Sequence, residues 1–145
     1  MADTYEPKVL VLCCGWCADA AADLAGVSRL PMHPHFTLVK MECTSRVEPE
    51  FVLEAFRLGA DGVMIAGCHP GDCHYVGGNY RALRRFALLR AMVRQFGLDP
   101  QRLRLDWILA TEAPKFQQMI NNFVDTVRKL GPSPFRVRPG SQADA

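Results

Sequence analysis

Four short apolar runs alternate with four stretches of helical periodicity, and this alternation constrains the fold more tightly than anything else in the chain. Residues 8–13 (KVLVLC) form a nearly unbroken apolar run of the kind that buried parallel strands use. Residues 36–41, 62–66 and 103–110 are three further runs, entered through the turn signals Pro34, Gly59 and Pro100. Helices are predicted over 17–27, which is alanine-rich, over 48–58, which opens Glu-Pro-Glu and stops at Gly59, and over 79–96. The fourth, 114–130, sets Phe116, Met119, Ile120, Phe123, Val127 and Leu130 on one face and halts at Gly131-Pro132. Such alternation predicts an α/β fold: an open, mainly parallel sheet of about four strands, Rossmann-like or flavodoxin-like, with helices on its faces and right-handed crossovers. A single domain over 7–131 is expected. The remainder, 132–145, has no periodicity and reads as an irregular C-terminal tail that lies on a partner or stays disordered.

Composition narrows the function classes. The 145 residues are one domain's worth, 49% are hydrophobic and 22% charged, so disorder does not describe the whole chain. The net charge of +2 is too small, and the pI of 8.3 too low, for a generic polyanion binder, so no nucleic acid is expected as a partner. No apolar stretch reaches membrane-spanning length and the first residues lack the order of a secretory signal, so no membrane partner and a cytoplasmic location are expected. Six cysteines in a reducing compartment are then not structural disulfides.

Their placement is systematic. Cys13, Cys14 and Cys17 close the first strand and open the first helix, Cys43 follows the second strand, and Cys68 and Cys73 follow the third in Gly-Cys-His-Pro-Gly-Asp-Cys-His. All lie at carboxyl ends of strands, the edge where open parallel sheets bind ligands, so loops separated by up to 60 residues should converge. Cys14-x-x-Cys17 and Cys68-x-x-x-x-Cys73 suit thiolates aimed at one centre, and a [2Fe–2S] cluster takes four of them. Gly15, Gly67 and Gly71 let the backbone fold closely round such a centre, and helix N-termini at the same edge favour an anionic guest. Two alternatives stay open on the residues alone: a zinc-stabilised adaptor, since four thiolates hold zinc equally well, and a thiol-disulfide redox protein using Cys14-x-x-Cys17. Cys13, inside the strand run, reads as a small buried hydrophobe.

His69 and His74 flank the Cys68 loop and are candidates for hydrogen bonds to cluster sulfurs, whereas His33 and His35 read as surface residues. The third helix carries Arg81, Arg84, Arg85, Arg90 and Arg94 with no acidic residue between them, a pattern that favours an acidic partner surface. No nucleophile–base–orienter set and no Gly-x-Gly-x-x-Gly or Walker loop is present.

Several long motifs, in order, resemble one family. They are Cys13-Cys14-Gly-Trp-Cys17 with Ala-Asp-Leu-Ala-Gly-Val-Ser-Arg29, Met41-Glu-Cys43-Thr-Ser-Arg46-Val-Glu-Pro, Gly-Ala-Asp-Gly-Val, Gly67-Cys-His-Pro-Gly-Asp-Cys-His-Tyr75 and Gly78-Asn-Tyr80. Over about residues 7–131 the chain is similar to the delta subunit of methyl-viologen-reducing (F420-non-reducing) hydrogenase, also found as a domain fused to heterodisulfide-reductase-like proteins. The resemblance implies a [2Fe–2S] protein that passes electrons between a hydrogenase or formate dehydrogenase and the flavin-containing A subunit of a heterodisulfide-reductase-like complex. It places the family's cysteines on Cys14, Cys17, Cys43, Cys68 and Cys73, one more than the cluster needs. Gly15 stands where the family commonly has Asn, and Thr44-Ser45-Arg46 where it has Ser-Gly-Arg; neither change removes a thiol.

Overall fold

Val9, Val11 and Cys13 alternate with Leu10 and Leu12 along the first strand, so both of its faces need apolar cover. In a computed structural model, which describes residues 5–136, helices supply it from above and below a four-stranded parallel sheet. The elements run β1 (Val9–Cys14), α1 (Ala18–Val27), β2 (Phe36–Met41), a 3₁₀ turn (Thr44–Arg46), α2 (Pro49–Arg57), β3 (Gly62–Gly67), α3 (Gly78–Gln95), a second 3₁₀ turn (Pro100–Arg102), β4 (Leu103–Trp107) and α4 (Ala113–Leu130). Strand order is β2-β1-β3-β4.

The faces divide cleanly. Val9, Val11, Met64 and Ala66 point to a layer made by α1 and α4, with Ala21, Ala25, Phe116, Ile120 and Phe123 buried there. Leu12, Val63 and Ile65 point to the opposite layer, where Val52 and Phe56 of α2 and Leu89 and Val93 of α3 pack. Each of the buried Val, Leu, Ile, Met and Phe side chains contributes roughly 1.5–3 kcal/mol by leaving water. α4 sits so close to the sheet that a Cβ at Gly62 would lie 2.6 Å from Val127. β2 is an edge strand with Leu38 and Val39 partly exposed.

The α/β fold and the helical spans match the sequence expectation to within a residue or so at each end. β4 differs: it ends at Trp107 rather than at 110. Its neighbour β3 ends at Gly67, which is level with Trp107, so beyond Ile108 no strand remains to pair with. His33 and His35 are half-buried rather than free on the surface, and His33 Nε2 lies 3.1 Å from Asp125 of α4. The first residues of the irregular tail, 132–136, lie on the domain itself. Ser133 is buried, its N–H donates to the carboxylate of the fully buried Asp61 at 2.8 Å, and Arg136 pairs with the same group at 3.2 Å. The rest of the tail, 137–145, lies outside the described residues.

Candidate metal centre

Parallel order with β1 in the interior fixes where a site belongs. From β1 the chain winds to β2 on one side and then crosses to β3 on the other, so the loops leaving β1 and β3 diverge to opposite faces and open a crevice between them. Those two loops carry Cys14, Cys17, Cys68 and Cys73. Cys14 ends β1, and its Sγ lies 3.4 Å from that of Cys68, just past β3. Cys17, at the N-cap of α1, donates its backbone N–H to Cys14 Sγ at 3.3 Å, and the three sulfurs of Cys14, Cys17 and Cys68 lie within 4.8 Å of one another.

Cys43 enters from the β2 side. It precedes the 3₁₀ turn Thr44–Arg46, is buried, and its Sγ lies 3.9 Å from that of Cys73. The five cysteines thus form a triad and a pair at one sheet edge. All six thiols are free. Cys13 stays out of the group: it faces the α1/α4 layer, fully buried, and its thiol donates weakly to the Val39 carbonyl at 3.7 Å.

Two residues make the pair possible. A Cβ at Gly78 would lie 2.2 Å from Cys43 Sγ and 3.1 Å from Cys73 Sγ, so only glycine lets α3 begin against these sulfurs. Asn79, also buried, donates its side-chain amide to the carbonyls of Cys68 (3.1 Å) and His69 (2.8 Å), pinning the β3–α3 loop to the helix start. Both belong to Gly78-Asn-Tyr80, a motif that the sequence marks only as part of a resemblance. Nothing in local sequence shows that Gly78 meets a cysteine 35 positions earlier.

The electrostatics of the two groups differ. Burial pushes the Cys68 thiol well up, helped by contacts with Cys17 and Cys14, and burial also raises Cys17. Burial acts in the same direction on Cys73, but the backbone N–H groups of Tyr75 in the loop and of Asn79 and Gly78 at the start of α3, together with Cys43, outweigh it and hold Cys73 below the usual thiol range. Cys13 is pushed up to about 12 by burial, with Asp19 adding to it. The two groups therefore differ in the direction of their acidity: Cys68 and Cys17 hold their protons more tightly than a free thiol, and Cys73 less tightly.

Neither flanking imidazole hydrogen-bonds a sulfur among the described residues. His69 Nε2 lies 2.7 Å from Glu112 Oε1 at the N-cap of α4. The Leu109 N–H, first, and then His69 hold that carboxyl below its usual range. The His74 ring stacks on Trp16 at 3.7 Å between centroids, so the loops after β1 and β3 touch through the residues next to Cys17 and Cys73.

Comparison with known proteins gives this arrangement a context. Residues 9–131 match the family described as "Methyl-viologen-reducing hydrogenase, delta subunit". The chain belongs to this family. Among its relatives, the iron-sulfur D subunit of an F420-non-reducing hydrogenase from Archaeoglobus profundus is 47% identical over 135 residues, covering 93% of this chain and 98% of that protein. The iron-sulfur D subunit of the vhc F420-non-reducing hydrogenase from Methanococcus voltae is 43% identical over 140 residues, 97% of each chain. The family domain also occurs inside a larger protein. The A subunit of a ferredoxin/F(420)H(2)-dependent CoB-CoM heterodisulfide reductase from Methanosarcina acetivorans is 44% identical over 126 residues, which are 87% of this chain and 16% of that one. No helix among the described residues is long and apolar enough to cross a membrane.

Proposed function

We propose that the chain is a cytoplasmic [2Fe–2S] electron-transfer protein, relaying electrons between a hydrogenase or formate dehydrogenase module and the flavin-containing A subunit of a heterodisulfide-reductase-like complex. The observation that carries this reading is the spacing of the sulfurs. Two thiolates on one tetrahedral metal with bonds of about 2.3 Å stand roughly 3.8 Å apart. Cys14–Cys68 at 3.4 Å and Cys43–Cys73 at 3.9 Å both approach that value, giving two pairs for two irons, with Cys17 beside the first pair as the fifth thiol. The relatives' printed names, iron–sulfur subunits of hydrogenases and the A subunit of heterodisulfide reductase, support the role and the choice of partners.

The surrounding residues fit such a group. Cys14, Cys43 and Cys68 are buried, Gly78 leaves room at the second pair, and the first turn of α3 aims N–H groups at Cys73, as an anionic guest requires. When bound, a [2Fe–2S] cluster supplies one-electron transfer without a substrate pocket. The chain's part is to hold it at the sheet edge, exclude water with the Trp16–His74 stack and keep it near a surface that a partner can reach.

Serine substitution tests the assignment. In anaerobically purified protein, Cys14→Ser, Cys43→Ser, Cys68→Ser and Cys73→Ser should each shift or abolish a red-brown visible spectrum that bleaches on reduction. Cys13→Ser should leave it intact. An unchanged spectrum in both Cys68→Ser and Cys73→Ser would contradict the proposal.

A further inference from the structure

The surface over the cysteines carries features that holding a cluster does not require. Trp16 stacks on His74, and His74 meets Tyr75 edge-on at 5.0 Å between centroids. Tyr75 carries this aromatic row on to a cleft beside Cys43 that Arg46, Arg81 and Arg85 also line. Trp16 and Tyr75 are about half exposed. Next to Tyr75, Val76 adopts φ +66°, a left-handed conformation that costs a β-branched residue roughly 1–3 kcal/mol. The residue is 83% exposed. The Val76 N–H closes a turn on the Cys73 carbonyl at 3.0 Å, but its apolar side chain, held in water, packs against little of the chain. It gains only when a second surface covers it.

Positive charge prevails beside this row, with Arg46 and Arg81 against Glu42 once Arg85 is set against Glu48. Arg85 is engaged internally, donating to the Ser45 carbonyl and lying 3.5 Å from Glu48, so it braces the Cys43 loop. Among the described residues Arg46, Arg81 and Arg84 make no ion pair, and α3 has no acidic residue to compensate them. Exposed aromatics bordered by arginine are the composition of a protein interface. The exposed aromatics and Val76 offer apolar area that a protein surface can bury, and the arginines with no ion pair favour an acidic one.

We propose that Trp16, Tyr75 and Val76, with Arg46, Arg81 and Arg84, form a docking surface for an acidic face of the electron-transfer partner. This rests on the electron-transfer reading above. It directs the partner to the face directly over the cysteines, so docking itself brings the redox groups together.

The test uses the full chain carrying its cluster and, as probe, a purified heterodisulfide-reductase-like flavoprotein A subunit, titrated anaerobically at low and moderate salt. Val76→Gly should keep the visible spectrum, melt no lower than the parent because the strain is gone, and raise Kd about tenfold or more. The double reversal Arg81→Glu with Arg84→Glu, which leaves the cysteine loops untouched, should raise Kd at least as much and flatten its salt dependence. If the parent binds and the double reversal binds with unchanged Kd and salt dependence, the docking surface is overturned while the electron-transfer reading stands. If the parent carries a cluster but does not bind this flavoprotein, the choice of partner falls, and the docking proposal with it. A concentration-dependent dimer that the double reversal dissolves, with flavoprotein affinity unchanged, would assign the face to self-association and overturn the proposal.

Discussion

At Gly78 the backbone has no room for even a methyl group, because the sulfurs of Cys43 and Cys73 occupy the place where a Cβ would go. Gly78→Ala should therefore lose most of its bound iron while the rest of the domain folds, measurable as iron per chain beside an unchanged far-ultraviolet circular dichroism spectrum. Retention of full iron content would show that the pair does not close against α3. Cys13 and Cys14 make the opposite comparison, since one-residue alternation sends Cys13 into the α1/α4 layer and leaves Cys14 at the site. That burial has a pH consequence in the metal-free protein. The Cys13 thiol is raised to about 12 in the fold, against an ordinary value of about 8.5–9 when unfolded, so the unfolded chain releases this proton first. Its contribution to stability is complete below about pH 8.5 and is lost as pH climbs towards 12, by up to about 1.4 kcal/mol per pH unit. Cys13→Ala should flatten the alkaline fall in melting temperature, and an equal slope in both proteins would contradict the burial argument.

The elements themselves were legible because each apolar run is bounded by its own punctuation. Gly59 stops α2, Gly131 stops α4, and Pro100 opens the turn into β4, and local backbone preferences act wherever the segment finally packs. The end of β4 was not legible, since Ile108–Ala110 is as apolar as the strand and only the length of β3 decides where pairing stops. The attachment of 132–136 was hidden for a similar reason: it depends on Asp61, 72 positions away from Ser133. Asp61 is fully buried and accepts from Lys8 N–H at 2.8 Å as well as from Ser133 and Arg136, while Arg102 donates to its backbone carbonyl at 3.0 Å. Asp61→Ala should destabilise the fold by about 3 kcal/mol, because it leaves buried donors and a cation without their acceptor. Asp61 stands at the opening of β3, at the opposite end of the sheet from the cysteines, so the visible spectrum of the folded variant should be unchanged. Chemical denaturation and absorption of the same sample check both halves of that statement.

For the molecule as a whole, the sequence shows that the cysteines follow strands, and the topology turns that into convergence. Strand order β2-β1-β3-β4 makes the β1 and β3 loops neighbours at the switch point, which is why Cys14 meets Cys68 across 54 positions. Which sulfurs would pair was not readable beforehand, because spacing along the chain carries no information about distance between loops. The same limit applies to His69, whose partner Glu112 comes from the end of the fold, and to Arg85, which the pattern of α3 groups with the outward arginines but which turns back to Ser45. Both described ends of the chain lie at the edge opposite the cysteines: Tyr5 donates its hydroxyl to the Gly131 carbonyl, and Arg136 reaches the Glu6 carbonyl. A connection made at those ends leaves the cysteine edge free to face a partner. Whether the cysteine edge holds a [2Fe–2S] cluster is decided by iron, acid-labile sulfide and zinc content per chain in anaerobically purified native protein. A [2Fe–2S] protein yields iron and sulfide in equal amounts, about two of each. Stoichiometric zinc without sulfide would contradict the [2Fe–2S] proposal.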